Sequence, residues 1–414
     1  MLTILINAYA CGPGRGSEPG MAWNWCLNLA RYCNLYIITE GEFREDIDRV
    51  LPSLKQGANM HFYFLPVSDK IRNMCWNQGD WRFYYYYSKW QKRALKQAQE
   101  IIKTTHIDVI HQLNMIGFRE PGRLWKIDGI PLVWGPTNAK EAFPMAYLKG
   151  ASTKSKIFIY TKNALTRFQL ICSPNVHKMA KRAQTIVAAS SDSAASICKF
   201  LHRNPVVINE SGCEFVENSV AIQPNNGTLQ LLWVGRYIFT KQLTLALESL
   251  AKITADVRLH IVGGLIEEEK PFKVLAHQLG IEDLCIWHER ISHSEVQTLM
   301  RQCDLFFFTS VAEGTPHVVL ESIANNLPVL CFDTCGHGDC VDDTVGIKIP
   351  LTNPQQSIKD FAEKIDYLYH HREELQRMSE GCAVKQKALS WESKALQMLD
   401  IYQKAISPYN NEKN

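Results

Sequence analysis

The chain has 414 residues, 46% of them hydrophobic and 21% charged, with a formal net charge of +3. It is too long for one hydrophobic core, which stops growing at about 250 to 300 residues, so two domains are expected. Ordinary composition excludes a disordered or fibrous chain, and no apolar run approaches the roughly 18 to 20 residues of a membrane-crossing helix.

In chain order, residues 2–10 read as a buried strand closed by the glycine cluster CGPGRGSEPG, followed by a helix through Trp23, Leu27 and Ala30. Apolar runs at 35–40, 60–66, 107–113, 130–135, 185–190 and 205–211 alternate with helical segments, the pattern of parallel strands buried on both faces. The polar, turn-rich stretch 216–228 reads as a linker. The alternation then restarts with strands at 229–235, 257–264, 284–289, 304–310 and 328–333. The expected fold class is α/β: two facing doubly wound, Rossmann-like domains, 1–210 and 211–389, with ligand in the cleft between them. A closing amphipathic helix at 390–408 is expected to pack back on the first domain, and the tail after it to fray. Thirteen scattered cysteines without a CxxC pair read as reduced thiols, and the first residues lack the features of a secretion signal, so the expected location is the cytoplasm.

The segment EGTPHVVLE, Glu313 to Glu321, follows the apolar strand at 304–310. Thr315 suits a helix cap and Pro316 the first helical position, leaving the N–H groups of His317 and Val318 free to meet an anion. Glu313 before the helix and Glu321 in its second turn put a carboxylate on either side of that point. One acceptor at each end with an anion site between suits a nucleotide sugar. In VGRYIFTKQ, Arg236 offers a planar fork and Lys241, after the cap candidate Thr240, a point charge; together they can offset a diphosphate.

A glycine turn after the first strand, a Gly-Arg with a Lys five residues on, and Glu-x7-Glu in the second domain resemble the retaining glycosyltransferases of family 4, which have the GT-B fold. The resemblance runs over nearly the whole chain. It implies transfer of a hexose from a nucleoside diphosphate sugar, with retention at the anomeric carbon, no resident cofactor and no metal. Glu313 then corresponds to the carboxylate near the donor sugar, Glu321 to the one that accepts from the ribose hydroxyls, and Arg236 and Lys241 to the diphosphate pair. Gly314, Thr315, Pro316 and His317 fall where the family approaches sugar and phosphate, Arg290 and Ile291 where it holds the base, and Gly16 and Ser17 on the phosphate-facing glycine turn. His111 occupies the first place of the family's H-x-H, but Leu113 occupies the second. His111, Asn114, Arg119 and Asn138 are candidates for substrate contacts. The implied partners are a nucleotide-sugar donor and a lipid-linked saccharide acceptor of surface polysaccharide synthesis, with no nucleic acid. A nucleotide-sugar epimerase or hydrolase, or a non-catalytic nucleotide-sugar-binding subunit, are the alternatives.

Between Glu141 and Asp192 the sequence has no acidic residue, while Lys149, Lys154, Lys156, Lys162, Arg167, Lys178, Lys181 and Arg182 lie inside. With the aromatic run at 81–90, this suits peripheral contact with the inner face of a membrane; Tyr84, Tyr87 and Trp90, at helical spacing, are expected in the core. Glu40 at the end of the second strand would suit a ribose contact in a dehydrogenase, a reading the broken GxGxxG at Gly14, Gly16 and Gly20 weakens. Asp46 and Asp48 form a DxD on an expected helix, and Cys331, Cys335, His337 and Cys340 match no standard zinc spacing.

Overall fold

Each run of apolar strands closes into its own parallel sheet. The computed structural model describes residues 1–77, 80–140, 142–148, 151–215 and 227–411. The chain divides into one unit of Met1–Glu141, Ala164–Ser211 and Trp391–Asn414, and another of Ala142–Asn163 and Gly212–Ser390.

In the first unit the chain runs β1 (Leu2–Ala8), α1 (Ser17–Leu29), β2 (Cys33–Thr39), α2 (Arg44–Val50), β3 (Met60–Phe64), α3 (Asp69–Trp76), α4 (Arg82–Thr104), β4 (Val109–Asn114) and β5 (Leu132–Thr137). After α5 (Thr153–Cys172), within which the division between units falls, come α6 (Pro174–Arg182), β6 (Thr185–Ala188), α7 (Ser191–Leu201) and β7 (Val206–Val207). Strand order is β3-β2-β1-β4-β5-β6-β7. Successive strand residues face opposite sides, so Ile4 and Ile6 pack with Trp25 on one face while Leu5 packs with Trp90 on the other. Every residue of β4 and β5 is buried, as a central parallel strand requires.

The second unit runs β8 (Leu229–Val234), α8 (Leu243–Leu250), β9 (Val257–Val262), α9 (Ile266–Gln278), β10 (Cys285–His288), α10 (His293–Gln302), β11 (Leu305–Phe308) and α11 (His317–Ala324). It continues with β12 (Val329–Phe332), α12 (Cys335–Cys340), β13 (Gly346–Ile349), α13 (Pro354–His370) and α14 (Arg372–Leu389). Its sheet has the order β10-β9-β8-β11-β12-β13. The last helix, α15 (Trp391–Asn411), belongs to the first unit, where Met398 and Tyr402 are fully buried.

Three differences from the sequence reading have physical causes. Residues 142–163 group with the second unit rather than with 1–210, because Phe143, Tyr147, Leu148 and Ile159 insert into its core and the Tyr147 hydroxyl meets Ser357 Oγ at 2.7 Å. The tail expected to fray is helical as far as Asn411. Strand β13 was not expected; it is short, half-buried in the middle, and held in place by register with β12. The expected linker at 216–228 falls almost wholly on 216–226, outside the described residues.

Candidate functional site

In the second sheet the direction of strand addition reverses between β8 and β11, and ligands of such sheets bind outside the carboxyl ends of the strands at that point. The loop after β8 is a 3-10 turn, Phe239–Lys241, ended by Gln242 in the left-handed region at φ 53°. Lys241 therefore does not open the helix, as its spacing had suggested; α8 begins at Leu243. The loops after β8 and β11 are stitched together. Val311 N donates to Thr240 O at 3.0 Å, and Thr309 Oγ1 donates to Lys241 O at 2.9 Å while accepting from Trp233 Nε1 at 3.0 Å.

This stitching brings Lys241 Nζ onto Glu313 Oε1, which also accepts from Ser310 Oγ at 2.8 Å. The side chains of Lys241 and Glu313 are 14% and 19% exposed. The ammonium also lies 5.4 Å from the centre of the Phe308 ring. Arg236 directly follows Gly235 at the end of β8 and is exposed. Close approach at this end of the sheet is enforced by Gly263, at φ 123°, where a Cβ would sit 2.4 Å from the Gly235 carbonyl.

Helix α11 starts one residue later than expected: Pro316 is the N-cap, with no side-chain capping bond, and His317 is the first helical residue. Gly314 and Thr315 are braced from behind by Gly336, whose N–H donates to Gly314 O at 3.0 Å. Glu321 is half-buried; its Oε1 meets His293 Nε2 at 3.2 Å and its Oε2 accepts from Gln297 Nε2 at 3.4 Å. Arg290 is exposed and Ile291 half-buried just before Ser292, which caps α10 with Glu295.

The remaining candidates lie in the first unit. Gly16 and Ser17 are exposed at the start of α1, Ser17 at φ 55°. Ser17 borders a pocket of about 160 Å³ that Glu18, Glu40, Glu42, Arg72 and Trp76 also line. Glu18, whose carboxylate accepts from Ile116 N at 3.0 Å, has its pKa pushed up to about 7 by burial. Glu40 is held by Arg72 at 2.9 Å and accepts from Val67 N at 2.9 Å. Asn138 is half-buried and its Oδ1 accepts from Ser193 Oγ at 3.2 Å.

His111 and Asn114 lie inside the first unit. The fully buried imidazole of His111 donates from Nε2 to Gly135 O at 2.5 Å and accepts at Nδ1 from the Tyr402 hydroxyl at 2.6 Å. Both nitrogens are spent inside the fold, and desolvation lowers its pKa to about 4. Asn114 is likewise fully buried and donates to Ala10 O at 2.7 Å. Arg119 is taken up by Thr166 and Gln169.

Asp46 is bound by Arg15 of the loop before α1 and by Arg49, and Asp48 by Arg44, the last two arginines on α2 itself. Among the described residues no three His, Cys, Asp or Glu side chains converge to hold a metal ion, and Cys335, His337 and Cys340 lie on α12. Sequence reasoning missed Ser310 and Glu18. A hydroxyl at the carboxyl end of an apolar strand, and a carboxylate in the first turn after a glycine loop, were the available signals.

Residues 216–383 match the family Glycosyl transferases group 1. The chain is 24% identical over 179 residues to a D-inositol 3-phosphate glycosyltransferase of Xylanimonas cellulosilytica, covering 42% of each protein. It is 27% identical over 161 residues to the N-acetylgalactosamine-N,N'-diacetylbacillosaminyl-diphospho-undecaprenol 4-alpha-N-acetylgalactosaminyltransferase of Campylobacter jejuni, covering 35% of this chain and 42% of that protein. The matches thus span less than half the length of either relative. Among solved structures, Anabaena HepE in complex with UDP superimposes with a TM-score of 0.59 at 14% identity, covering 98% of this chain and all of that one. Residues 216–383 are therefore a glycosyl transferases group 1 domain, carried on a chain with the GT-B fold.

Proposed function

We propose that the chain is a retaining, metal-independent hexosyltransferase that moves a sugar from a nucleoside diphosphate sugar to a lipid-linked saccharide in surface polysaccharide synthesis. The observation that carries this reading is the convergence of Lys241, Ser310 and Glu313 where strand order reverses, just before the first turn of α11. The group 1 domain supports the transferase class, and the lipid diphosphate in the name of the Campylobacter jejuni relative supports the acceptor class.

On this reading the bond from the anomeric carbon to the phosphate oxygen breaks, with the electron pair leaving on the diphosphate. Arg236, Lys241 and the amides at His317 and Val318 stabilise that charge. The acceptor hydroxyl attacks the face the leaving group vacates, and its proton passes to the departing phosphate oxygen. Glu313 accepts from donor-sugar hydroxyls and Glu321 from the ribose. Arg290 and Ile291 border the base, and Gly314 to Pro316 the sugar and phosphate.

Arg236→Ala and Lys241→Ala should each lower kcat by about a hundredfold or more with the thermal midpoint preserved. Wild-type turnover in either variant, assayed against a panel of nucleotide sugars with a lipid-linked acceptor, removes the leaving-group role. The anomeric configuration of the product, read by NMR against that of the donor, tests retention.

A further inference from the structure

Cys335, the first residue of α12, has φ 57°, in the left-handed region that glycine and asparagine enter readily and cysteine does not. Asn326, at φ 58° in the same unit, is of the tolerant kind. The Cys335 side chain is also buried, at 3% exposed. A residue kept in a conformation that its side chain resists is held there by its surroundings, and such residues cluster at functional sites.

The thiol faces the loop that follows β11. Glu313 N–H donates to its Sγ at 3.4 Å and Thr334 Oγ1 at 3.8 Å, while the S–H is directed at Val311 O, 3.9 Å away. One sulfur therefore meets both ends of residues 311–313. From its other side the same loop is tied to the turn that carries Lys241, through Val311 N–H to Thr240 O at 3.0 Å. The loop is clamped between that turn and α12, and it carries the carboxylate that meets Lys241 and Ser310. A long bond to a large, polarisable atom lets the thiol span this gap. Glycine at 335 would relieve the backbone and take the acceptor away from Glu313 N–H.

We infer that Cys335 is a positioning residue: its thiol fixes the peptide of Glu313, and through it the aim of the Glu313 carboxylate. The inference rests on the role proposed for Glu313 in transfer, so the test has one readout that needs no substrate. Hydrogen exchange of the full chain is followed at the Glu313 amide, alongside kcat and KM with whichever nucleotide sugar the wild type turns over. In Cys335→Gly, relief at φ 57° offsets the lost packing, so the thermal midpoint should hold. Exchange at Glu313 should rise about tenfold, the worth of one hydrogen bond. The kcat should fall about tenfold while KM for the nucleotide sugar stays within about twofold. Cys335→Ser keeps an acceptor on a shorter bond and should recover part of both losses. Should Cys335→Gly lose its midpoint, Cys335→Ala, which keeps the Cβ and lacks the sulfur, is read in its place. Wild-type exchange at Glu313 in the folded variant overturns the inference, as does a serine variant no better than glycine or alanine, which would reduce Cys335 to packing. Turnover at the wild-type rate with faster exchange overturns the link from peptide to carboxylate. A wild type that turns over no nucleotide sugar counts against the transferase reading, and the exchange result then decides this one alone.

Discussion

Glu313 accepts from an ammonium and a hydroxyl at once, so the charge at this end of the second sheet is balanced before any ligand arrives. His111 solves a different problem, an imidazole with no access to water. Its pKa of about 4 lies below the ordinary 6.5, so the neutral form is the one the fold favours. Stability from this group is complete above pH 6.5 and is lost as the pH falls toward 4. The loss should reach about 3 kcal/mol, and His111→Gln should flatten that acid limb in urea titrations run across the range. An unchanged limb would mean that the proton is taken up elsewhere. The sequence showed the motif position of His111 but not its tenancy: the partner that claims Nδ1, Tyr402, is 291 residues away. Lys241 and Glu313 were legible because each lies in the loop that follows a strongly apolar strand, whereas Ser310 carried no mark beyond its place after Phe308.

At the scale of elements, strands buried on both faces were the clearest signals. Leu305–Phe308 and Val329–Phe332 are entirely buried, and each could be read as a strand from its run of apolar residues alone. Boundaries set by local backbone were less legible. The turn at Gln242 is left-handed without glycine, and α11 begins after Pro316 because the chain at 314 and 315 is fixed by α12 rather than by a side-chain cap. Tyr84, expected in the core with Tyr87 and Trp90, is 47% exposed, since only one stripe of α4 faces the sheet. The brace behind α11 makes a prediction. A Cβ at Gly336 would lie 2.7 Å from Gly314 O and 2.9 Å from Thr315 Cα, backbone that cannot yield cheaply. Gly336→Ala should cost about 1 to 3 kcal/mol and weaken binding of the proposed nucleotide sugar, measured by calorimetry against a panel of nucleoside diphosphates, although the residue bears no side chain to contact it. Unaltered affinity would uncouple α12 from the start of α11.

At the scale of the whole molecule, the division into units does not follow chain order. Helix α15 supplies Ala395, Met398, Ile401, Tyr402 and Ala405 to the core of the first unit, beside Ile4, Ile6 and Val133 of its sheet. A chain ending at Ser390 would leave that face of the sheet covered by α1 without α15, and His111 Nδ1 without its hydroxyl. Such a chain should lose slow hydrogen exchange in β1, β4 and β5. Persistence of slow exchange there would show that α1 suffices to cover the face. The sequence hinted at this return only through the amphipathic pattern after residue 390, and gave no sign that residues 142–163 serve the other unit, because their apolar side chains sit in a basic stretch without a clean period.

The same discontinuity orders events at the ribosome. Residues 2–137 emerge with every strand of the β1 to β5 array, yet the helix that completes one side of it is translated after all of the second unit. Until then that side of the first sheet is covered by α1 without the α15 residues Met398, Ile401 and Tyr402, so its core stays incomplete through synthesis of the second unit.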